Sequence, residues 1–167
     1  MSKRLHRMSD PEFYSLIAEA PVFEAIIKGA IGVEVEMEEV FSLHFVDFDS
    51  LVEMRLTYDQ KVKLMIAIGL ERRFASPLMA LAKIRNRFAH NLDAQFSASD
   101  ADNFYATFAK EDRRIMETSL SRIQDGMPPD GHPREFKEFD GRDKLALCIV
   151  TLRSAMKAAQ LETIRKR

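Results

Sequence analysis

One cysteine, Cys148, serves the whole chain of 167 residues, so no intrachain disulfide can form. Its flanks from Leu145 to Leu152 are apolar apart from Thr151, which predicts a buried, inert thiol rather than a redox or metal-binding one. No metal-ligand set and no cofactor signature is visible. Long apolar runs are also missing: nothing approaches the roughly 18 residues of a membrane span. The basic stretch Met1 to Asp10 is not followed by the apolar core of a signal peptide, so a cytoplasmic protein is expected. No internal repeat or low-complexity segment is present.

Hydrophobic residues make up 46% and charged residues 31% of the chain, the balance of an ordinary globular protein. At this length a single domain over 1–167 is expected, burying about two-thirds of the surface that the unfolded chain exposes. The net charge of −1 hides an asymmetry. Between Pro21 and Arg55 eight acids face only Lys28 and Arg55. Between Lys61 and Asn91 the bases Lys61, Lys63, Arg72, Arg73, Lys83, Arg85 and Arg87 face only Glu71. Either the basic segment meets a phosphate backbone, or the two segments face each other within a monomer or across a dimer.

Apolar residues recur at helical spacing almost throughout. Asp10-Pro11 reads as an N-cap followed by a first-turn proline. Phe23, Ile26, Ile27, Ala30, Val33, Met37, Val40 and Phe41 mark one face of a long helix. Val33 to Glu38 alternates as a strand would, but the helical period continues on both sides without a turn residue, so helix is expected there. Gly29 and Gly32 each cost that helix about 1 kcal/mol relative to alanine, which points to a close helix crossing. Asp47 to Leu56 reads as a connection. Thr57 and Gln60 form a capping box, and the helix they open ends at Gly69 with Leu70 behind it, a Schellman pattern.

Ser76-Pro77 opens the next helix, with Leu81, Ile84 and Phe88 toward the core. Ser99 and Asp100 are cap candidates ahead of Phe104, Tyr105 and Phe108, and helical character resumes through Ile115, Met116, Leu120 and Ile123 until Gly126 ends it. Pro128, Pro129, Pro133, Gly131 and Gly141 make 127–141 a loop. A last helix spans 142–165, ahead of the basic tail Arg165-Lys166-Arg167. The expected fold is an all-α bundle of about five to six helices, with Phe23, Ile27, Met37, Leu64, Ile84, Phe88, Ile149 and Leu152 largely buried.

The most distinctive stretch is Arg85-Asn86-Arg87-Phe88-Ala89-His90. Asn86 and His90 share a helix face, whereas roughly 140° separates Arg85 from His90 around an ideal helix. A neutral imidazole there could move a proton at a ribose 2′-hydroxyl or a leaving oxygen, with Arg85 and Arg87 holding the phosphoryl charge and Asn86 orienting either. Lys83, Arg72 and Arg73 would extend the basic surface. On spacing alone the plainer reading is favoured: surface arginines that are solvated or paired, and a histidine serving as a favourable charge at a helix C-terminus.

Lys83 to Asn91 resembles the IRNxFAH signature of HEPN-type helical proteins. Val62 to Leu70, with its Gly-Leu ending, resembles the preceding helix of the mannitol operon repressor family. The likeness covers 57–108 and extends more loosely to the Pro-rich loop and final helix. It implies a helical bundle, often dimeric, with members from toxin ribonucleases to regulators. In the nucleases, the residues matching Arg85 and His90 are the functional pair. Two functions follow: a regulatory module acting through protein contacts or non-catalytic RNA binding, or a metal-independent endoribonuclease using Arg85, Asn86 and His90. A homodimer is expected on the glycines and the opposed charges. No helix-turn-helix with a basic recognition helix is evident, which argues against direct DNA reading.

Overall fold

The computed structural model describes residues 7–125 and 136–165, with side chains described at 7–118 and 136–165. In chain order the helices are α1 (Asp10–Glu19), α2 (Val22–His44), α3 (Phe48–Glu53), α4 (Tyr58–Ala67), α5 (Ala75–His90), α6 (Ala98–Ala106), α7 (Lys110–Asp125) and α8 (Gly141–Arg165), with 3-10 turns at Arg72–Phe74 and Phe136–Glu138. The all-helical expectation holds, including Val33 to Glu38, and no strand occurs among the described residues. The described residues form eight helices where five or six are expected. The 47–56 connection contains α3, capped by the Asp47 carboxylate, and 97–125 divides into α6 and α7.

The two longest helices, α2 and α8, form the most extensive contact. Helices α1 and α6 lie on α8, and α5 packs on α2 and α4. Met37, Phe88, Ile149 and Leu152 are buried as expected, whereas Ile27, Leu64 and Ile84 are only half-buried. Phe23 is a correction, being 51% exposed. It stands in the first turn of α2, where its ring rests against Phe88 at 6.2 Å between centroids instead of entering the core. No described helix is long and apolar enough to cross a membrane, and Cys148 is buried, where desolvation pushes its thiol pKa up.

Local chemistry sets the helix ends. Thr57 and Gln60 cap α4 reciprocally. Gly69, at φ +116°, closes it, and the Leu70 amide donates to the Met65 carbonyl at 2.9 Å, as a Schellman ending requires. Three other caps differ from expectation. Ser9, with Glu12, caps α1, so Asp10 is the first helical residue, and its carboxylate pairs with Arg153 and Lys157. Ser97, rather than Ser99 or Asp100, caps α6, with Asp100 returning the bond. Helix α5 continues directly out of the 3-10 turn without a side-chain cap at Phe74. Pro77 sits in its first turn, where amides have no intrahelical partner to lose.

Both glycines of α2 mark close crossings. A Cβ at Gly29 would press on Ile149 of α8 and Ile17 of α1, and one at Gly32 would meet the Phe13 ring edge. Those crossings lie inside the protomer, so the glycines lend no support to a subunit interface. The opposed charge segments meet at Lys61 of α4, which binds Glu34 and Glu38 of α2 at 2.6 and 2.7 Å. Of the expected 127–141 loop, Phe136–Glu138 is a 3-10 turn and Gly141 opens α8. Residues 127–135, the stop at Gly126 and the tail beyond Arg165 lie outside the described residues.

Candidate nucleic-acid interface on the fifth helix

Helix α5 buries Leu78, Leu81, Ala82 and Phe88. Arg85 falls on that same stripe, three or four residues from Leu81, Ala82 and Phe88, and is half-buried. Its guanidinium turns sideways, where Nη1 donates to Asn86 Oδ1 at 2.9 Å. It also lies near Tyr58 of α4. Burial, with the Glu34 carboxylate adding to it and Arg85 opposing, pushes the Tyr58 phenol well above its ordinary range. The phenol oxygen is buried and has no hydrogen-bond partner among the described residues.

Asn86 and His90 are exposed, one turn apart on the outer face of the helix. His90 is the last residue of α5. The chain leaves the helix in extended conformation at Asn91, whose Oδ1 accepts from the Asp93 amide at 3.0 Å. No described side chain hydrogen-bonds to the His90 ring. Arg85 and His90 leave the helix roughly 140° apart, and Asn86 is the residue between them, bonded to one and sharing a face with the other.

The other candidate cations divide into two sets. Lys83 and Arg72 are exposed and have no carboxylate partner among the described residues. Arg73 and Arg87 are engaged inside the protein. Arg73 pairs with Glu71 at 3.1 Å, with Asp112 at 3.5 Å and closely with Glu111. Arg87 donates to Asp100 Oδ1 at 2.8 Å and to the Gln95 carbonyl at 3.3 Å. Its guanidinium lies 5.5 Å from the Phe88 ring centre. This clasp ties α5 to the start of α6 across an irregular segment.

The Arg87 hydrogen bond is the main reason the Asp100 carboxyl titrates at about 2; burial opposes it, and the Ser97 amide and hydroxyl add to it. An aspartate in the unfolded chain titrates near 3.9. The clasp therefore contributes its full stability above about pH 4 and loses it as pH falls through about 2. Arg87→Ala should melt below the parent at neutral pH, with the gap closing across that acid window. A gap unchanged at the acid end would contradict this origin.

A separate cleft of about 350 Å³ lies between the ends of α2, α4 and α8, lined by residues including Val40, His44, Met65, Arg73 and Glu162. Among the described residues, no group of three or more histidine, cysteine or acidic side chains could hold a metal ion. The fold and the α5 end together define an all-helical protein that presents a guanidinium, an amide, an imidazole and the free Lys83 on one helix, with Arg72 in the turn before it. No family model matches the chain, and no curated protein or solved structure matches it. The resemblance drawn from the sequence thus stands on the motif residues alone.

Proposed function

We propose that this chain is a regulatory module of the HEPN and mannitol-repressor-like kind that binds RNA through the C-terminal half of α5 without cutting it. The observation that carries this reading is His90, exposed and without a described hydrogen-bond partner for its ring. A histidine working as general acid or base gains from a neighbour that fixes its ring and tautomer. An imidazole that only docks against a phosphate or a base edge does not. Arg85 and Lys83 bring positive charge that no described carboxylate neutralises, with Arg72 a further free cation in the turn before α5, and Asn86 adds donor and acceptor capacity beside Arg85.

One observation favours the endoribonuclease reading. The Arg85–Asn86 bond draws the guanidinium toward the face that carries His90. In that reading His90 takes the 2′-hydroxyl proton, the 2′-oxygen attacks phosphorus, and the P–O5′ bond breaks with the 5′-oxygen taking a proton from water, giving a 2′,3′-cyclic phosphate. Arg85 would hold the phosphoryl charge.

Fluorescence anisotropy of a labelled single-stranded RNA, titrated across a salt series, tests the binding reading. Arg85→Ala and Lys83→Ala should each weaken binding and make the log–log salt slope shallower by about 0.7, one phosphate contact on a single strand. Arg73→Ala and Arg87→Ala should leave the slope unchanged, because their charges are already spent on Glu71, Glu111, Asp112 and Asp100. Equal effects from all four would contradict the division into free and engaged cations.

A further inference from the structure

Glu36 lies on the apolar face of α2 and is fully buried, as is Arg153 of α8 at 2% exposure. Arg153 Nη2 binds Glu36 Oε1 at 2.9 Å. Arg153 is also fixed by Asp10, by the Met8 carbonyl and by the Phe13 ring, 4.4 Å from its guanidinium. This guanidinium is a permanent part of the core. A second one reaches the same carboxylate from outside. Arg7 Nε and Nη2 donate to Glu36 Oε1 and Oε2 at 3.3 and 2.8 Å, and Nη2 also donates to Gln160 Oε1 at 2.8 Å.

We propose that Glu36 and Gln160 form a guanidinium receptor, filled here by the chain's own Arg7, whose natural alternative occupant is an arginine side chain of a partner polypeptide. The acceptors are set in advance. Gln160 Nε2 donates to the Glu36 carbonyl at 3.2 Å and to Glu36 Oε2 at 2.7 Å, which fixes its amide so that Oε1 faces outward. Two carboxylate oxygens and that amide oxygen match the planar fork of a guanidinium, whereas an ammonium cannot address all three in plane.

Arg7 is the removable partner. Its side chain is 42% exposed, it precedes the first helix in an irregular segment, and its described side-chain bonds go only to Glu36 and Gln160. Its departure leaves Glu36 and Asp10 facing Arg153 and Lys157, so the emptied site stays balanced in charge. The Gln160 amide oxygen and Glu36 Oε2 then lose the donor that Arg7 supplied, and an incoming guanidinium restores both bonds. Beside the site is a hollow of about 200 Å³, lined by Met8, Phe13, Ile31, Gly32 and Val35 together with Lys28, Glu36 and Arg153. It offers room for an apolar residue next to an incoming arginine.

The test uses the full chain carrying Arg7→Ala, with thermal melts in millimolar methylguanidinium or methylammonium chloride. Methylguanidinium should raise the melting temperature of Arg7→Ala by about 2–4 °C, methylammonium should not, and the parent should respond to neither. Adding Glu36→Gln should remove the response. If Arg7→Ala fails to fold, Arg7→Lys keeps the charge without the fork and should show the same rescue. A blocked arginyl-leucine dipeptide should act at lower concentration than methylguanidinium, because the hollow takes its apolar part. Equal action of the two cations, or no rescue in either variant, would overturn the receptor. Methylguanidinium acting as well as the dipeptide would overturn the polypeptide occupant.

Discussion

Arg153→Met should lower the unfolding free energy by about 3–5 kcal/mol, the usual cost of leaving one partner of a buried ion pair behind. Arg153 answers Glu36, Asp10 and the Met8 carbonyl at once. Its removal leaves the fully buried Glu36 carboxylate with Gln160 and the half-exposed Arg7 alone. For a chain of this size the loss amounts to a drop in melting temperature of about 6–20 °C, read directly by calorimetry. Pairing the change with Glu36→Leu should recover most of it, because an apolar pair of similar volume removes the desolvation cost that the ions carry. A single variant within about 1 kcal/mol of the parent would show that the pair is wetter than its burial indicates.

The second large effect is expected at Gly32. An alanine there gains about 1 kcal/mol of helix propensity, yet its Cβ would meet the edge of the Phe13 ring. That ring is fully buried, and the Arg153 guanidinium lies against it, so it has little freedom to retreat. A net destabilisation of about 1–3 kcal/mol is expected from the overpacking, measured by urea unfolding. Phe13→Leu added to Gly32→Ala should restore part of it by shortening the obstructing side chain. A Gly32→Ala protein more stable than its parent would mean that α1 can slide away from α2 at no cost.

These two sites also show what the residue order discloses and what it conceals. The helical period of α2 and the reciprocal Thr57–Gln60 box are local chemistry, and both appear in the fold as expected. Ser9 with Glu12, and Ser97 with Asp100, carry the same local signal as Thr57 with Gln60. Proximity to Pro11 and the cluster at Ser99 drew the expectation to the wrong neighbours. Phe23 follows the α2 period but stands where no packed element covers it fully. Periodicity defines a face, not how far along it the neighbours reach.

Charged residues inside apolar stripes were a usable signal. Glu36 falls between Val33 and Val40, Arg153 between Ile149 and Met156, and Arg85 between Leu81 and Phe88. Two of these three find each other across the α2–α8 contact. The third, Arg85, has no described carboxylate and binds its neighbour Asn86. That difference could not be read from spacing, since it depends on which helices meet. The same holds for the clasps that engage Arg73 and Arg87, whose partners lie on α6, on α7 and in the turn before α5.

The central claim, that the α5 end holds RNA without cleaving it, is tested most directly on the anisotropy samples themselves. After each titration, the RNA bound to saturating protein is resolved on a denaturing gel, for the parent and for His90→Ala. The expected result is full-length RNA in both, with binding in both and a weaker, shallower-slope complex for Arg85→Ala. Shortened RNA ending in a 2′,3′-cyclic phosphate with the parent, and intact RNA with His90→Ala, would contradict the claim and make His90 a catalytic residue.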